Sequence, residues 1–179
     1  NQQWAMARLR IIVPTVFVGV FVMLWMALGS HRHAMIIMVN VPLALIGGVA
    51  GLLLTGEYLS VPASVGFIAL FGIAIQNGVV LVGKINDLRK SGKSLHEAVI
   101  AGSLSRFRPI LMTELILILG VLPLALGTST GSEIHRPLAI VYIGGFIVAI
   151  FFEQIVLPIL YEMFSREGDA APEGNPAEG

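Results

Sequence analysis

Long apolar stretches separated by short polar loops run through most of this chain of 179 residues. A transmembrane helix needs about 20 mainly apolar residues, and stretches close to or above that length recur along the sequence. They cover residues 11–28, 34–54, 65–83, 110–126 and 137–164. The pattern predicts an all-α fold, a polytopic transmembrane helix bundle with five spans in a transmembrane domain of residues 1–164.

The segment between the third and fourth stretches is too polar to cross a membrane, because it carries several lysines and arginines. Within it, Ser94 and Glu97 have the spacing of a capping box, which starts a helix. Leu95 and Val99 then share one helical face, and the run is far shorter than a span. We expect one short cytoplasmic amphipathic helix lying in the membrane interface, and we place Pro109 in the first turn of the fourth span.

The two ends of the chain differ from its middle. Residues 165–179 are rich in Glu, Gly, Pro and Ala and almost lack apolar side chains, so they predict a disordered cytoplasmic tail. The chain starts at Asn1, and no signal-peptide pattern precedes its first apolar stretch. We interpret this start as the edge of a longer protein.

Composition narrows the class of protein further. Hydrophobic residues make up 56% of the chain and charged residues only 12%, whereas soluble domains carry about 25% charged residues. This composition is not typical of a water-soluble globule, and the lipid bilayer is the expected partner. Eleven basic and eleven acidic residues balance, so no basic excess points to nucleic acid. The lack of cysteine excludes disulfides and thiolate metal sites.

The distribution of Lys and Arg predicts how the spans are oriented, because positive residues concentrate in cytoplasmic loops. With five spans, one side of the membrane collects Arg32, Lys84, Arg89, Lys90, Lys93, Arg106, Arg108 and Arg166. The other side has only Arg8, Arg10 and Arg136. The charged central segment and the carboxyl terminus are therefore expected in the cytoplasm.

Polar residues inside apolar spans are the first candidates for function, since a charge at the bilayer centre costs about 2.5 to 3.5 kcal/mol even on mild scales. Gln76 and Asn77 are adjacent in the third span. They either line a polar path or bridge neighbouring helices through interhelical hydrogen bonds. Amides do not titrate near neutral pH, so they can position a proton carrier but cannot be one.

Two carboxyl groups also fall inside predicted spans. Glu114 follows Thr113 about one turn into the fourth span, and Glu153 lies far into the fifth. Glu114 either exchanges protons or forms an ion pair with Arg106 or Arg108, which we interpret as structural residues at the cytoplasmic edge. Glu153 either takes part in proton exchange or marks the approach to the cytoplasmic surface.

Other patterns carry little chemistry. Glu133 and His135 are only two potential metal ligands in one loop, which is a weak signal. Four methionines near the first predicted cytoplasmic loop are more typical of apolar filling than of metal handling; they are Met23, Met26, Met35 and Met38. The sequence has no arranged nucleophile and base and no phosphate-binding loop. We therefore expect no enzyme, no cofactor and no resident metal site.

Several motifs together resemble the resistance-nodulation-division export pumps. They are residues 67–82 (FIALFGIAIQNGVVLV) and residues 106–113 (RFRPILMT), with the spacing between them that this family has. Residues 127–139 (GTSTGSEIHRPLA) are similar to the heavy-metal efflux branch rather than the multidrug branch. Residues 157–161 (LPILY) resemble the usual end of the last helix. The resemblance extends over nearly the whole chain, to about Phe164.

The resemblance implies that this chain is the carboxyl-terminal membrane portion of a pump subunit, its eighth to twelfth helices. Such pumps are homotrimers of the bacterial inner membrane that exchange protons for exported substrate. They join a periplasmic adaptor and an outer-membrane channel. The implied transported species are protons and a heavy-metal cation, and the implied partners include the rest of the same subunit.

The resemblance also assigns roles by position. Asn77 and Thr113 match polar positions near the proton relay, whereas the main aspartates of that relay are expected outside this chain. Gln76 stands where drug pumps have a lysine and some metal pumps a glutamate, which weakens a charged relay through this helix. Glu114 and Glu153 match no hallmark of the family. Drug or solvent export by the same machinery, and a non-transporting scaffold related to protein-export components, stay open as alternatives.

Overall fold

The computed structural model describes residues 2–127 and 132–165, with the side chains of residues 15–127 and 135–165, and it shows only helices as regular elements there. The all-α prediction is confirmed for these residues. The helices are α1 (Gln2–Leu28), α2 (His31–Thr55), α3 (Val61–Lys90), α4 (Leu95–Leu126), α5 (Ser132–Phe151) and α6 (Leu157–Phe164). A π-helical turn, Phe152–Val156, joins α5 to α6 without a break.

Local sequence signals explain where the helices begin and end. Gly29 and Gly56 follow α1 and α2 with φ angles of 64° and 70°, a left-handed conformation in which side chains other than hydrogen are disfavoured. Ser60 caps α3, because its hydroxyl accepts a hydrogen bond from the Ala63 N–H at 3.3 Å. These signals keep the loops between α1, α2 and α3 short.

Four helical segments are long and apolar enough to cross a membrane: α2, α3, α4 and residues 135–164. The described apolar part of α1, Thr15–Leu28, is shorter, so a fifth crossing by α1 stays a prediction. The helices also extend past the predicted spans, since α3 continues to Lys90 instead of ending near residue 83. Helical structure outlasts the apolar stretch because charged residues with good helix propensity carry it on.

The prediction of a separate amphipathic helix before the fourth span is wrong. The capping box is present, with Ser94 Oγ accepting from the Glu97 N–H at 3.3 Å, but the helix that it starts continues to Leu126. Pro109 therefore lies inside α4 rather than in its first turn. Hydroxyl groups on both sides bond to the helix backbone, since Ser105 donates to the Gly102 carbonyl and Thr113 to the Pro109 carbonyl. Both bonds lie close to Pro109, whose missing N–H leaves the Ser105 carbonyl without its usual helical donor.

The π-helical turn in the last span has a local cause. Pro158 has no N–H to donate to the Gln154 carbonyl, and in a regular α-helix its ring would clash with that carbonyl. The turn is wider instead, with the Leu157 N–H bonded to the Phe152 carbonyl. Glu153 lies in this turn and is buried, and π-turns often occur at functional sites.

A close glycine contact joins α2 to α5. A Cβ atom added to Gly47 would lie 2.5 Å from the Gly144 carbonyl oxygen, and one added to Gly144 would lie 2.5 Å from the Gly47 carbonyl oxygen. Glycine at both positions lets the two backbones approach, which is the usual way for membrane helices to gain packing. The contact fixes the distance between the helix that carries Asn40 and the span that carries Glu153.

A buried hydrogen-bond network lies at the end of the bundle where α2 begins and α6 ends. Arg89 Nη1 donates to the Tyr161 hydroxyl at 3.3 Å, and that hydroxyl donates to Asn86 Oδ1. Asn86 Nδ2 lies 3.5 Å from His33 Nδ1, and His33 Nε2 lies 3.1 Å from Ser165 Oγ. Ser165, predicted as the start of the disordered tail, is thus buried and bonded, while residues 166–179 lie outside the described residues.

Replacing Tyr161 with phenylalanine is expected to lower the free energy of unfolding by about 1 to 3 kcal/mol, because Asn86 Oδ1 loses its donor in a buried setting. Thermal unfolding of the intact transporter in detergent measures the effect. Tyr58→Phe is the matched control, since Tyr58 is 87% exposed. Equal Tm values for the two variants would show that the network adds nothing to stability.

Candidate functional site: a buried polar layer

A layer of polar side chains lies between two apolar clusters of the bundle. Its members are Asn40 on α2, Asn77 on α3, Glu114 on α4 and Glu153 in the π-helical turn. We call these four residues the polar layer. Asn40, Glu114 and Glu153 are only 2%, 0% and 1% exposed, so they are removed from water in a bundle that is otherwise apolar.

The apolar clusters flank the polar layer along every helix that contributes to it. On α2, one cluster includes Ile37 and the other begins at Val41. The flanking cluster residues on the other elements are Ala74 and Leu81 on α3, Val99 and Leu117 on α4, and Ala149 and Leu157 around the π-helical turn. The polar groups therefore meet at one depth of the bundle.

A single amide group connects the two carboxyl groups of the polar layer. Asn77 Nδ2 donates to Glu114 Oε1 at 3.0 Å and to Glu153 Oε2 at 2.9 Å. Both hydrogens of the amide are thus used, one for each acid. Because both carboxyl groups accept from the same nitrogen atom, they are neighbours in the bundle.

This arrangement suits a pair of acids that shares a proton. Two adjacent carboxylate anions repel each other strongly in an apolar interior, whereas one proton held between them removes the repulsion and adds a hydrogen bond. Glu114 Oε2 and Glu153 Oε1 are buried and have no hydrogen-bond partner. These two oxygens are therefore free to hold the shared proton or to release it.

The structure does not show the ion pair that the sequence left open for Glu114. Its carboxyl group bonds to Asn77, and among the described ion pairs none joins it to Arg106 or Arg108. Arg108 is exposed. It precedes Glu114 by six residues, so it lies about 9 Å from Glu114 along the axis of α4 and on another face of that helix. The structural role of Arg106 and Arg108 at a membrane edge stays a prediction.

Two of the five predicted site residues lie away from the polar layer. Gln76 and Thr113 are both exposed in this chain, and the Thr113 hydroxyl donates to the Pro109 carbonyl of its own helix at 2.9 Å. The structure brings together Asn77, Glu114 and Glu153. It adds Asn40, which the sequence analysis did not single out, although a lone amide among apolar residues is itself a signal.

The weaker metal-binding candidates gain no support. Within residues 15–127 and 135–165 no group of three potential metal-ligating side chains is present. His135 is exposed, and the Glu133 side chain lies outside the described residues. Met23, Met26 and Met35 are exposed, and Met38 packs against the apolar cluster near Ile37.

Comparison with known proteins identifies a matching family and several similar proteins. The sequence profile of the AcrB/AcrD/AcrF family matches residues 1–165. The cobalt-zinc-cadmium resistance protein CzcA of Cupriavidus metallidurans is 41% identical over 169 residues, which cover 94% of this chain and 16% of that protein. Protein HelA of Legionella pneumophila is 50% identical over 163 residues, which cover 90% of this chain and 16% of HelA.

Further relatives are also named for metal resistance or metal efflux. The nickel and cobalt resistance protein CnrA of Cupriavidus metallidurans is 46% identical over 160 residues, 89% of this chain and 15% of CnrA. A crystal structure of a heavy metal efflux pump superposes with a TM-score of 0.82 at 41% identity, covering 92% of this chain and 16% of that chain. The chain thus spans about a sixth of the length of the relatives that it matches.

Proposed function

This chain belongs to the AcrB/AcrD/AcrF family, and we propose from that premise that it forms the carboxyl-terminal membrane part of a proton-driven exporter of heavy-metal cations. The similar proteins are named for resistance to cobalt, zinc, cadmium and nickel. The chain corresponds to only 15–16% of their length, so export is an activity of the intact transporter.

The observation that carries the proposal is the pair of buried carboxyl groups joined by Asn77. A proton-driven transporter needs groups that bind and release protons inside the membrane, and intramembrane acids commonly serve that purpose. Glu114 and Glu153 supply two such groups on different helices. A change in their protonation therefore acts on the packing of two spans at once.

The surroundings of the polar layer support this role. Apolar side chains close the layer on both sides. An unpaired charge on Glu114 or Glu153 is therefore unfavourable, and the protonation of these acids is coupled to the conformation of the helices. Asn77 keeps one hydrogen bond to each acid in either protonation state. It acts as a fixed bridge, and it does not itself titrate.

The placement in the cell and the assembly are further parts of the proposal. We place the spans in a bacterial inner membrane with the carboxyl terminus in the cytoplasm, as the distribution of Lys and Arg favours. The resemblance to the resistance-nodulation-division pumps supports a homotrimer with a periplasmic adaptor and an outer-membrane channel. The protons and the metal cation are the transported species.

The test uses the intact transporter reconstituted in proteoliposomes with a pH gradient. An entrapped fluorescent indicator reports Zn²⁺, Co²⁺ or Cd²⁺, and we expect metal transport that disappears when an uncoupler collapses the gradient. Transport of dyes or solvents without metals would favour multidrug export. No transport of either class by a folded trimer would favour the scaffold alternative.

A substitution at Thr113 tests the position that the resemblance places near the relay. Thr113→Ala is expected to reduce export several-fold without reducing the abundance of the transporter in the membrane. The substitution removes a hydroxyl that is exposed on α4 and is therefore available for hydrogen bonds near the relay. Thr113→Ser keeps the hydroxyl and serves as the control. Wild-type transport by a well-expressed Thr113→Ala variant would remove this residue from the mechanism.

A further inference from the structure

Asn40 is the one member of the polar layer whose amide nitrogen has no hydrogen-bond partner. Its side chain is 98% buried, since only 2% is exposed, and its Nδ2 atom has no hydrogen-bond partner. A buried amide N–H without an acceptor is unfavourable and rare in native proteins. Its presence in an apolar span calls for a partner that is engaged in another state of the protein.

The partner is adjacent. Asn40 lies beside Glu153 where α2 contacts the π-helical turn, and Glu153 Oε1 is itself without a partner. An unused donor and an unused acceptor thus lie next to each other on α2 and the π-helical turn. The other oxygen, Glu153 Oε2, already accepts from Asn77 at 2.9 Å.

We propose that Asn40 is a positioning residue for proton release, whose Nδ2 donates to Glu153 Oε1 once the carboxyl pair has given up its shared proton. This inference rests on the proposed function. In the loaded state one proton lies between Glu114 and Glu153, and Asn77 donates to both acids. When that proton leaves as H⁺ toward the water of the transport pathway, the charge of the pair changes from −1 to −2 and both acids are anions. Glu153 then has two amide donors, one from Asn77 and one from Asn40, and the added donor offsets part of the repulsion between the two carboxylates.

The polar groups around Glu153 are two amides and the Glu114 carboxyl group, so the pair of carboxyl groups is the unit that titrates. Asn40, Asn77 and Glu114 are the polar residues that α2, α3 and α4 direct toward it. The described part of α1, Thr15–Leu28, has no titratable side chain. On α2, the histidine or cationic residue nearest to Asn40 in sequence is His33, seven residues before it. On α3, the one nearest to Asn77 is Lys84, seven residues after it. Seven residues correspond to about 10 Å along a helix.

The experiment compares Asn40→Leu with the wild type in the intact transporter. Infrared difference spectroscopy follows the protonated carboxyl band of the purified protein against pH, and proteoliposome transport of Zn²⁺ gives a second pH profile. Asn40→Leu is expected to move both midpoints toward higher pH by about one unit, because the anion loses a charge-assisted hydrogen bond. Asn40→Ser retains a donor and is expected to restore much of the wild-type profile.

Gln154→Leu is the matched control. The Nε2 atom of Gln154 is also buried without a partner, but Gln154 is the next residue after Glu153 and its side chain points in another direction around the helix axis. Both profiles are therefore expected to stay unchanged. Unchanged midpoints in a folded Asn40→Leu protein, or an equal shift in Gln154→Leu, would overturn the role of Asn40.

The two proposals fail in different ways. If the wild type transports no metal while its carboxyl band titrates and shifts in Asn40→Leu, the export proposal fails and the role of Asn40 in the proton equilibrium survives. If metal export is normal and neither midpoint moves, only the inference about Asn40 fails. If Asn40→Leu does not fold, Asn40→Ala, which also removes the donor, is measured in its place, and unchanged midpoints in that variant would contradict the proposal.

Discussion

Glu153→Gln and Glu114→Gln are each expected to reduce proton-driven metal export by about 100-fold, the scale on which a positioned proton-transfer group usually contributes. Glutamine has nearly the shape of glutamate and still accepts the hydrogen bond from Asn77, but it does not take up a proton. Each variant thus keeps the bridge between the helices and removes one of the two acids that share the proton.

The measurement is the initial rate of metal transport in proteoliposomes at several pH values, with the amount of folded transporter determined in parallel. Glu162→Gln is the control, because Glu162 is an exposed partner of His96 at 2.8 Å rather than a member of the polar layer. The double variant is expected to be no worse than either single variant, since the two acids act as one unit. A normal rate and a normal pH dependence in Glu114→Gln would reassign that residue to a structural bond.

The second large effect is expected at the contact between α2 and α5. Gly47→Ala and Gly144→Ala each place a methyl group 2.5 Å from a backbone oxygen of the other helix, so the helices have to separate. Overpacking of this kind typically costs about 1 to 3 kcal/mol. We expect a lower Tm for both variants, with loss of the Asn40 and Glu153 geometry as a consequence.

Thermal unfolding of the intact transporter in detergent measures this effect, with Gly120→Ala as the control. Apart from its sequence neighbours and its own helix backbone, no atom of the described residues lies within 4 Å of a Cβ placed on Gly120. Alanine there is therefore expected to be neutral or slightly stabilising. A Tm for Gly47→Ala equal to that of Gly120→Ala would show that the two backbones can separate without loss.

Much of the helical architecture could be predicted, because a span requires a long apolar stretch whatever its neighbours are. The ends of the helices were less predictable. Pro109 indicated a helix start, yet α4 runs through it from Leu95. Spanning helices tolerate proline where their surroundings compensate for it, and a single sequence does not reveal those surroundings.

The composition of the polar layer shows a second limit. Gln76 and Asn77 are neighbours in sequence, as are Thr113 and Glu114, but successive helical residues differ by about 100° in direction. Only Asn77 and Glu114 turn toward the layer. In a soluble helix the apolar face would have revealed this direction, whereas here the lipid-facing and core-facing sides are both apolar.

The π-helical turn also affects how related sequences should be compared. It holds one residue more than a regular helix needs, so the positions after Val156 are out of phase by about 100° with those before Phe152. A helical wheel drawn evenly through residues 137–164 therefore misplaces the direction of the buried Tyr161 by about 100° relative to that of the buried Phe146. An alignment of this span is sound only if a one-residue gap or insertion is assessed at the turn, separately from the two regular segments that it joins.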